Sequence, residues 1–400
     1  MLELLLNKES WGSFLKSKVD NLFLSNYEKK QYKDFILTDK YLEICIPLSK
    51  GEYSFSVPKK HVISKHSSSK RRVVYTYSKE EMIVMKYISF LMYKYDYLFL
   101  DNLYSFRKQT GVRRAITRLS HTRKVKNLYG YKLDISNYFN SVDIPIFLNE
   151  LKGVVDLDVY QLYKQIYEDD RVLFKKKIIH ENKGAMAGVP LSSFSANFYI
   201  KDIDHFFKKE NVLYFRYADD IIFFTNSKEK RDCYIQILKD KLSEKKLSVN
   251  SDKESYIEPH QYFEFLGFGF NNHEIDLSKH SVKKMKAKIR RRARKLYRWK
   301  NEKGLTAENA LVAFNRKMNR KFYSKNSDET SWSFWYFPLI NTSKSLKEID
   351  LYLQQEERYL FTGRHTKKNY KLCPYSKLKE YSYRPLVNEY YKFKNSKSNL

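Results

Sequence analysis

The chain has 400 residues, of which 42% are hydrophobic, so it can bury a substantial core in two or three packed units. Its 76 Lys and Arg residues outnumber its 46 Asp and Glu residues and give a formal charge of +30. Such an excess predicts a polyanionic partner, with nucleic acid ahead of an anionic membrane surface. No apolar run approaches the roughly 20 residues that a membrane-spanning helix needs, and the first residues lack the basic leader of a signal peptide.

The cysteines and histidines predict neither a disulfide framework nor a zinc site. Cys45, Cys233 and Cys373 are far apart, and the nine His are scattered as surface or packing residues. We therefore expect a reduced, cytoplasmic protein without a membrane partner. Aromatic residues make up 16% of the chain and alternate with basic ones, which suits base stacking, although an A/T-rich coding sequence would give the same composition.

The first half of the chain contains a predicted loop, helix and strand. Residues 61–73 are basic and Ser-rich and are predicted to form a mobile loop between strands. Apolar residues recur at helical spacing from Lys79 to Tyr97, which predicts a helix. Residues 129–135 have the pattern of a strand, and the segment from Phe194 to Phe207 is predicted to be a buried helix.

The second half contains two predicted strand pairs and a long basic helix. Residues 213–224 form two apolar runs around Ala218-Asp219-Asp220, the pattern of a β-hairpin with a polar tip. Residues 262–270 predict a second, shorter strand pair. Residues 279–300 contain twelve Lys and Arg and no acid. One apolar face of this predicted helix is formed by Val282, Met285, Ile289, Ala293 and Leu296.

Three carboxylates predict a metal site. Asp219 and Asp220 lie at the apolar hairpin tip, and Asp134 closes the apolar strand YKLD. Such carboxylates are costly to bury unless a cation neutralises them, and Mg²⁺ prefers carboxylate and phosphate oxygens. If the two strand ends lie side by side, the carboxylates have the arrangement used in two-metal phosphoryl transfer. For a single Asp-Asp pair, a solvated turn or a helix cap is the alternative.

Six segments resemble the motifs of one enzyme family in order and spacing. They are Phe106-Arg107-Lys108 with Ala115-Ile116, LDISNYFNSV from Leu133 to Val142, GVPLSS from Gly188 to Ser193 with Ala196 to Tyr199, Tyr217-Ala218-Asp219-Asp220, Leu247 to Asn250 with Lys253, and Phe265 to Phe268. Together, from about residue 65 to 270, they resemble the motifs of reverse transcriptases. The Tyr-Ala-Asp-Asp box is similar to that of bacterial retron and group II intron enzymes.

The resemblance implies an α+β right-hand polymerase fold. Its parts would be fingers, an RRM-like palm with an antiparallel sheet and the catalytic hairpin, a helical thumb and a C-terminal extension. The expected boundaries are 1–125 for the N-terminal segment and fingers, 126–274 for the palm with a fingers insertion at about 150–185, 275–330 for the basic thumb, and 331–400 for the extension. We expect the extension either to bind RNA or a partner protein, or to pack on the thumb.

The resemblance also implies the metal and catalytic residues. Asp134, Asp219 and Asp220 would hold two Mg²⁺ ions, for which Mn²⁺ is a substitute, and Ile135 would join them as a metal ligand. Asp220 is expected to be the weaker carboxylate, because its side chain points elsewhere on an extended backbone. Lys253 would protonate the leaving pyrophosphate, with an ordinary surface lysine as the alternative.

Further residues are assigned to the nucleotide and the nucleic acid. Those expected to bind the nucleotide are Lys70, Arg71, Arg72, Ile135, Phe139, Gly188 and Pro190. Phe139 would exclude a 2′-hydroxyl, or else it is a packing residue; Arg72 is the preferred triphosphate ligand, with a solvated loop as the alternative. Those expected to contact the primer or other nucleic acid are Arg107, Phe265, Leu266, Gly267, Arg290, Arg291 and Arg294.

The predicted activity is RNA-directed DNA synthesis from dNTPs. Ala187 replaces the Gln that family members often have, and Ser193 stands where many have Pro. The form GVPLSSFSANFY is more similar to abortive-infection and defence-associated reverse transcriptases than to intron enzymes. This resemblance implies a structured non-coding RNA as template, nascent DNA as product and a role against phage. A second protein or self-assembly is a further expected partner. The alternatives are template-independent or protein-primed synthesis by the same site, and an RNA-binding scaffold on a polymerase fold.

Overall fold

The structure is a computed structural model that describes residues 1–21, 24–64, 71–122, 124–323 and 331–398. The chain forms a mixed fold of helices and mainly antiparallel strands, which confirms the predicted α+β class. The helices are α1 Lys8–Val19, α2 Asn26–Leu37, α3 Leu42–Ser49, α4 Lys79–Leu91, α5 Val112–His121, α6 Ile144–Leu151, α7 Leu157–Glu168, α8 Ser192–Tyr199, α9 Lys201–Lys209, α10 Lys228–Glu244, α11 Lys279–Glu302, α12 Ala307–Tyr323, α13 Trp332–Tyr336, α14 Lys344–Thr362, α15 Asn369–Leu372, α16 Tyr375–Glu380 and α17 Leu386–Ser398.

The strands are distributed over three sheets. They are β1 Lys59–Ser64, β2 Arg71–Thr76, β3 Tyr129–Asp134, β4 Arg171–Phe174, β5 Lys177–His180, β6 Leu213–Tyr217, β7 Asp220–Thr225, β8 Ser255–Ile257, β9 Phe263–Phe265, β10 Phe268–Asn271 and β11 Glu274–Leu277. Short 3₁₀ helices occupy Leu2–Leu6, Met92–Leu98, Val125–Asn127, Tyr138–Ser141 and Ser251–Lys253.

The chain divides into two compact units. The first consists of Met1–Ala115 and Asn127–Pro259, and the second of Ile116–Lys126 and His260–Leu400. The four-part division into fingers, palm, thumb and extension stays a prediction. In the part of the chain that is described, no helix is long and apolar enough to cross a membrane.

The central sheet of the first unit has the strand order β6-β7-β3-β8, with every neighbouring pair antiparallel. Helices α9 and α10 pack on it and bury an aromatic cluster. The Phe207 ring stacks on Tyr214 at 4.6 Å and on Phe223 at 5.2 Å between ring centroids. Because β7 is buried along nearly its whole length, its sequence DIIFFT is an apolar run rather than an alternation.

The second sheet of this unit has the order β2-β1-β4-β5 and corrects the prediction for residues 61–73. His61–Ser64 belong to β1 and Arg71–Val73 to β2, and these strands pair antiparallel from Lys59 with Thr76 to Ser64 with Arg71. The predicted loop is therefore too long at both ends. Its many Ser and Lys residues favoured a loop, although the β-branched residues at its two ends belong to strands. Residues 65–70, including Lys70, lie outside the described residues.

Two predicted helices end earlier than expected. The helix predicted from Lys79 to Tyr97 is α-helical only to Leu91 and continues as a 3₁₀ helix to Leu98. The helix predicted from Phe194 to Phe207 is broken at Ile200, so that α8 is buried all round whereas α9 buries one face. Both breaks were missed because the apolar residues continue across them.

The second unit contains the sheet β11-β10-β9 and the helices from α11 onward. The strand pair predicted at 262–270 is confirmed as β9 and β10, and β11 adds a third strand that the sequence did not indicate. Helix α11 is confirmed, and all five residues of its predicted apolar face are buried. Helix α14 packs on α11 and α12. The assignment of residues 331–400 as an extension stays a prediction.

Candidate active site

The hairpin β6–β7 brings the predicted carboxylates together. Asp134, the last residue of β3, is the direct cross-strand partner of Asp220, the first residue of β7. Asp219 lies in the turn between β6 and β7, and its carbonyl accepts a 3.1 Å hydrogen bond from the amide of Ile135. The ends of β3 and of the hairpin thus lie side by side.

The electrostatics of this group reflect three nearby carboxylates. Burial raises the pKa of Asp219 to about 6, and the charges of Asp134 and Asp220 add to the rise. Burial also raises the pKa of Asp220, against the opposing charge of Lys132. The charge of Asp134 therefore disfavours ionisation of both Asp219 and Asp220, and a cation at this point would relieve the repulsion.

Lys253 provides a positive charge beside the carboxylates. Its Nζ lies 2.5 Å from Oδ1 of Asp134, and the amide of Asn250 donates a 2.8 Å hydrogen bond to the Asp134 carbonyl. The structure thus places Lys253 beside Asp134. Its role in protonating pyrophosphate stays a prediction.

The chemistry of these residues fits a divalent metal. Across the described ranges, no group of three or more His, Cys, Asp or Glu side chains forms a ready-made metal cage. The donor set of Asp134 and Asp219 nevertheless suits Mg²⁺, which usually takes one or two protein carboxylates and completes its shell with phosphate oxygens and water. The raised pKa of Asp219 indicates the same need for a cation.

A polar network that sequence reasoning missed fixes the hairpin turn. Ala218 has a left-handed backbone with φ 56°, and its amide donates a 2.9 Å hydrogen bond to Oγ of Ser105. That hydroxyl donates in turn to Oδ1 of Asn197 at 3.0 Å, and the Asn197 amide donates to the Ser105 carbonyl at 2.8 Å. All three residues are buried, so this network holds Asp219 at a defined position.

A buried ion pair supports the strand that leads into the turn. Arg216 of β6 is 0% exposed and Asp204 of α9 is 1% exposed, and the Arg216 Nε donates to Asp204 Oδ1 at 2.7 Å. A second guanidinium nitrogen donates to Oδ2, and the Tyr214 hydroxyl donates to Oδ1 at 3.0 Å. A charged residue inside the apolar run LYFRY was the only sequence signal for this pair.

Phe139, the predicted sugar gate, lies in an aromatic group near the hairpin. Its half-buried ring meets Phe106 edge-on at 6.0 Å, and Phe106 lies 6.5 Å from the ring of Tyr217. The Phe139 carbonyl accepts a 2.7 Å hydrogen bond from the amide of Ala185. The structure thus brings Phe139 towards the Tyr-Ala-Asp-Asp box, and its role with the sugar stays a prediction.

Two of the predicted triphosphate residues lie on β2, which is hydrogen-bonded to the segment after β3. Arg71 and Arg72 are exposed on β2. Asn140, next to Phe139, donates to the Val73 carbonyl at 3.2 Å.

The loop before α8 is also hydrogen-bonded to β2. Asn140 accepts from the Ala187 amide at 2.9 Å, and the Tyr75 amide donates to the Ala187 carbonyl at 2.8 Å. Gly188 has φ 101°, and a Cβ there would lie 2.9 Å from the Tyr75 carbonyl oxygen, so a side chain does not fit. Pro190 is half-buried two residues later.

Arg107 is engaged inside the first unit. Its Nε and Nη2 each donate to the carboxylate of Asp96 at 2.8 Å, and Nη1 donates to the Leu100 carbonyl. These bonds occupy much of the guanidinium and brace the turn before Phe106. A contact with nucleic acid stays a prediction for this residue.

The remaining predicted residues belong to the second unit. Leu266 and Gly267 form the turn between β9 and β10 with positive φ, and Phe265 is fully buried. The Gly267 carbonyl accepts from the Ser278 amide at 3.0 Å and so joins this turn to the start of α11. The three arginines predicted to contact nucleic acid, Arg290, Arg291 and Arg294, are exposed on α11.

Comparison with known proteins gives one family match. The profile named reverse transcriptase (RNA-dependent DNA polymerase) matches residues 57–270, which is more than half of the chain. No curated protein matches significantly. Among solved structures, apo telomerase from Candida tropicalis is similar, with 13% identity, a TM-score of 0.48, and coverage of 87% of this chain and 64% of that one.

A second similar structure is telomerase from Candida albicans in complex with a fragment of telomeric RNA. It has 13% identity and a TM-score of 0.46, and the match covers 87% of this chain and 66% of that one. The present chain therefore spans somewhat less than two thirds of the length of both telomerase structures.

Proposed function

Because the chain belongs to the reverse transcriptase (RNA-dependent DNA polymerase) family, we propose that it adds deoxynucleotides to a DNA 3′ end with RNA as template. The predicted polymerase fold is in keeping with that membership. The observation that carries the proposal is the convergence of Asp134, Asp219 and Asp220 at neighbouring strand ends, where burial and mutual repulsion raise the pKa of Asp219 to about 6.

In this proposal, residues of the first unit bind the metal ions and donate a proton to the leaving group. Asp134 and Asp219 would hold two Mg²⁺ or Mn²⁺ ions, with Asp220 and the Ile135 carbonyl as further ligands. When bound, such ions supply charge neutralisation at the reacting phosphate and activation of the 3′-hydroxyl. Lys253, already beside Asp134, would face the departing phosphates as a proton donor.

The substrate is held by a second group of residues. The exposed Arg71 and Arg72 present planar guanidinium groups, which match phosphate oxygens better than a lysine does. Phe139 would lie under the sugar and exclude a 2′-hydroxyl, and Gly188 and Pro190 would lie beside the incoming nucleotide. The exposed arginines of α11 and the turn at Phe265–Gly267 would contact the nucleic acid.

The complete carboxylate set supports an enzyme over an RNA-binding scaffold. A scaffold has no use for three partly or fully buried acids that repel one another, and such acids cost stability. Template-independent and protein-primed synthesis would use the same residues, so they differ from the proposal in template and primer rather than in site.

We further propose that the template is a structured non-coding RNA that serves antiviral defence. Support comes from the segment Gly188 to Tyr199, whose form is similar to that of abortive-infection enzymes. A second protein or self-assembly is a further proposed partner, and the cytoplasm is the proposed location. Sequencing the RNA that co-purifies with the protein from its host tests this: one dominant structured RNA supports the proposal, and an unselective mixture contradicts it.

The polymerase proposal is tested by primer extension on a defined RNA template. Purified protein is given a DNA primer, Mg²⁺ and four dNTPs, and the product is sequenced with template, without template and with a template of different sequence. The proposal predicts DNA complementary to whichever template is present. Equal addition without template would contradict it in favour of untemplated synthesis, and DNA joined covalently to the protein would favour protein priming.

A further inference from the structure

An exposed aromatic ring lies beside the predicted sugar gate and the catalytic hairpin. Phe106 is 42% exposed, and its ring meets that of Phe139 edge-on at 6.0 Å between centroids. The ring of Tyr217, at the end of β6, lies 6.5 Å from it on a tilted plane. A single exposed ring is common on protein surfaces, so exposure alone assigns no role to Phe106.

The backbone of Phe106 adopts a conformation that is rare for phenylalanine. Its φ is 54°, in the left-handed region that favours glycine. A bulky residue keeps such a conformation only where the surrounding structure enforces it, and strain of this kind is concentrated at functional sites. Burial of the ring in the core does not account for the strain, because much of the ring is exposed.

The residues before Phe106 are fixed to the catalytic hairpin. The amide of Tyr104 donates a 2.9 Å hydrogen bond to the carbonyl of Arg216 in β6. The hydroxyl of the fully buried Ser105 accepts from the amide of Ala218 at 2.9 Å. The position of Phe106 is therefore set by the same turn that carries the catalytic carboxylates.

The residues after Phe106 are fixed to the end of α4 and the chain that follows it. Two nitrogens of Arg107 donate to the carboxylate of Asp96 at 2.8 Å each. The Nζ of Lys108 lies 4.9 Å from the ring centroid of Phe90. Because the chain is held on both sides, the Phe106 ring is kept against Phe139 in spite of the unfavourable backbone.

We propose that Phe106 is a positioning residue for sugar selection and that it acts through Phe139. Its ring supports the edge of the Phe139 ring and keeps that ring from moving away from the sugar of the incoming nucleoside triphosphate. Without this support, Phe139 yields to a 2′-hydroxyl and ribonucleotides are admitted. The inference rests on the proposed polymerase function and adds to it a residue that limits the choice of sugar.

The test measures kcat/KM for single-nucleotide extension with a dNTP and with the matching rNTP, using the full chain. Phe106→Gly removes the ring and suits the left-handed backbone, so relief of strain should offset the lost contacts and leave the melting temperature nearly unchanged. The preference for dNTP over rNTP should fall about two- to tenfold, the range that one edge-on aromatic contact supports. Tyr97→Ala, a control that removes another exposed ring of the first unit, should leave the preference unchanged.

A double-mutant cycle tests whether the two rings act together. Phe139→Ala and Phe106→Gly/Phe139→Ala should show the same sugar preference, because Phe106 has no ring left to support once Phe139 is truncated. An additive loss in the double variant overturns the inference, and so does an unchanged preference in Phe106→Gly. Equal loss on both sugars with a lower melting temperature in Phe106→Gly also overturns it, since that result marks a packing residue. These three outcomes occur with a parent that extends the primer, whereas a parent without extension contradicts the polymerase proposal and this inference with it.

Discussion

Behind the β6–β7 hairpin a buried acid is paired with a buried arginine, whereas helix α14 of the second unit holds buried acids whose pKa is raised by burial. Arg216 and Asp204 neutralise each other behind the hairpin. In α14, Asp350 accepts instead from the backbone amides of Leu386 and Val387 at 2.8 and 3.0 Å. Burial raises the pKa of Asp350, and it raises that of Glu357 to about 8.

The difference indicates what each region needs from its buried groups. An ion pair with several hydrogen bonds holds one geometry, which suits the strand before Asp219. A carboxyl group that accepts backbone amides can join two segments without a buried arginine beside it, as Asp350 joins α14 to the start of α17. Substitution of a buried charged residue should therefore lower the free energy of unfolding behind the hairpin and raise it in α14.

The largest stability loss is expected from breaking the paired charge. Arg216→Met leaves Asp204 ionised and buried, which should cost about 3–5 kcal/mol of unfolding free energy. The double variant Arg216→Met/Asp204→Leu should recover much of the loss. As a control, Lys208→Met breaks the exposed pair with Asp101 and should cost less than about 1 kcal/mol. Denaturant melts measure all three, and a loss below about 1 kcal/mol for Arg216→Met would refute the contrast.

Removal of an acid whose ionised form is disfavoured by burial should have the opposite effect. The pKa of Glu357 rises from its ordinary 4.5 to about 8 in the folded chain, so the folded state holds a proton that the unfolded state releases. Stability therefore falls as pH rises from about 4.5 to about 8.

Glu357→Gln should remove this component of the pH dependence. At pH 8.5 the variant should be more stable than the parent by a few kcal/mol, on the order of the shift in pKa, and near pH 4.5 the two should be similar. Thermal melts at both pH values measure it. A variant less stable than the parent at pH 8.5 would show that Glu357 is ionised and well paired.

Substitution of Phe139 distinguishes two roles for this residue, contact with the nucleotide sugar and packing within the first unit. Phe139→Ala should raise the use of ribonucleotides relative to deoxynucleotides, because the bulk under the sugar is lost. A purely packing Phe would instead lower stability by about 3–5 kcal/mol. Single-nucleotide extension with dNTP and rNTP measures the ratio, and equal loss on both sugars with a lower melting temperature would retire the gate.

The smallest effect is expected from the exposed charges of the second unit. Replacing Arg290, Arg291 and Arg294 with Gln should flatten the dependence of log affinity on log salt by about two to three units, at about 0.9 per duplex phosphate. The control replaces the three exposed lysines of the β4–β5 turn, residues 175–177, with Gln. If that variant changes the slope and the α11 variant does not, the nucleic acid lies elsewhere than on α11.

The parts that sequence predicted correctly depend on local pattern. The hairpin around Asp219 and the buried face of α11 follow from residues a few positions apart. The bond from Ala218 to Ser105 joins residues 113 positions apart, and that from Ser105 to Asn197 spans 92. Periodicity contains no information on such pairs.

The break at Ile200 and the strand β11 were missed for a related reason. Helices α8 and α9 have a continuous apolar pattern, and only their different packing separates them. Strand β11, with the sequence EIDL, is too short to show alternation and is defined by its pairing with β10. Both features are set by tertiary contacts rather than by local propensity.

The most direct test of the central claim compares Asp219→Asn with the parent in primer extension on RNA. The substitution keeps the size of the side chain and removes the charge that metal ions would need. The account predicts loss of dNTP incorporation with the melting temperature and RNA binding nearly intact, while Asp240→Asn, an exposed acid on α10, retains full activity. Polymerisation by Asp219→Asn at the parent rate would contradict the account.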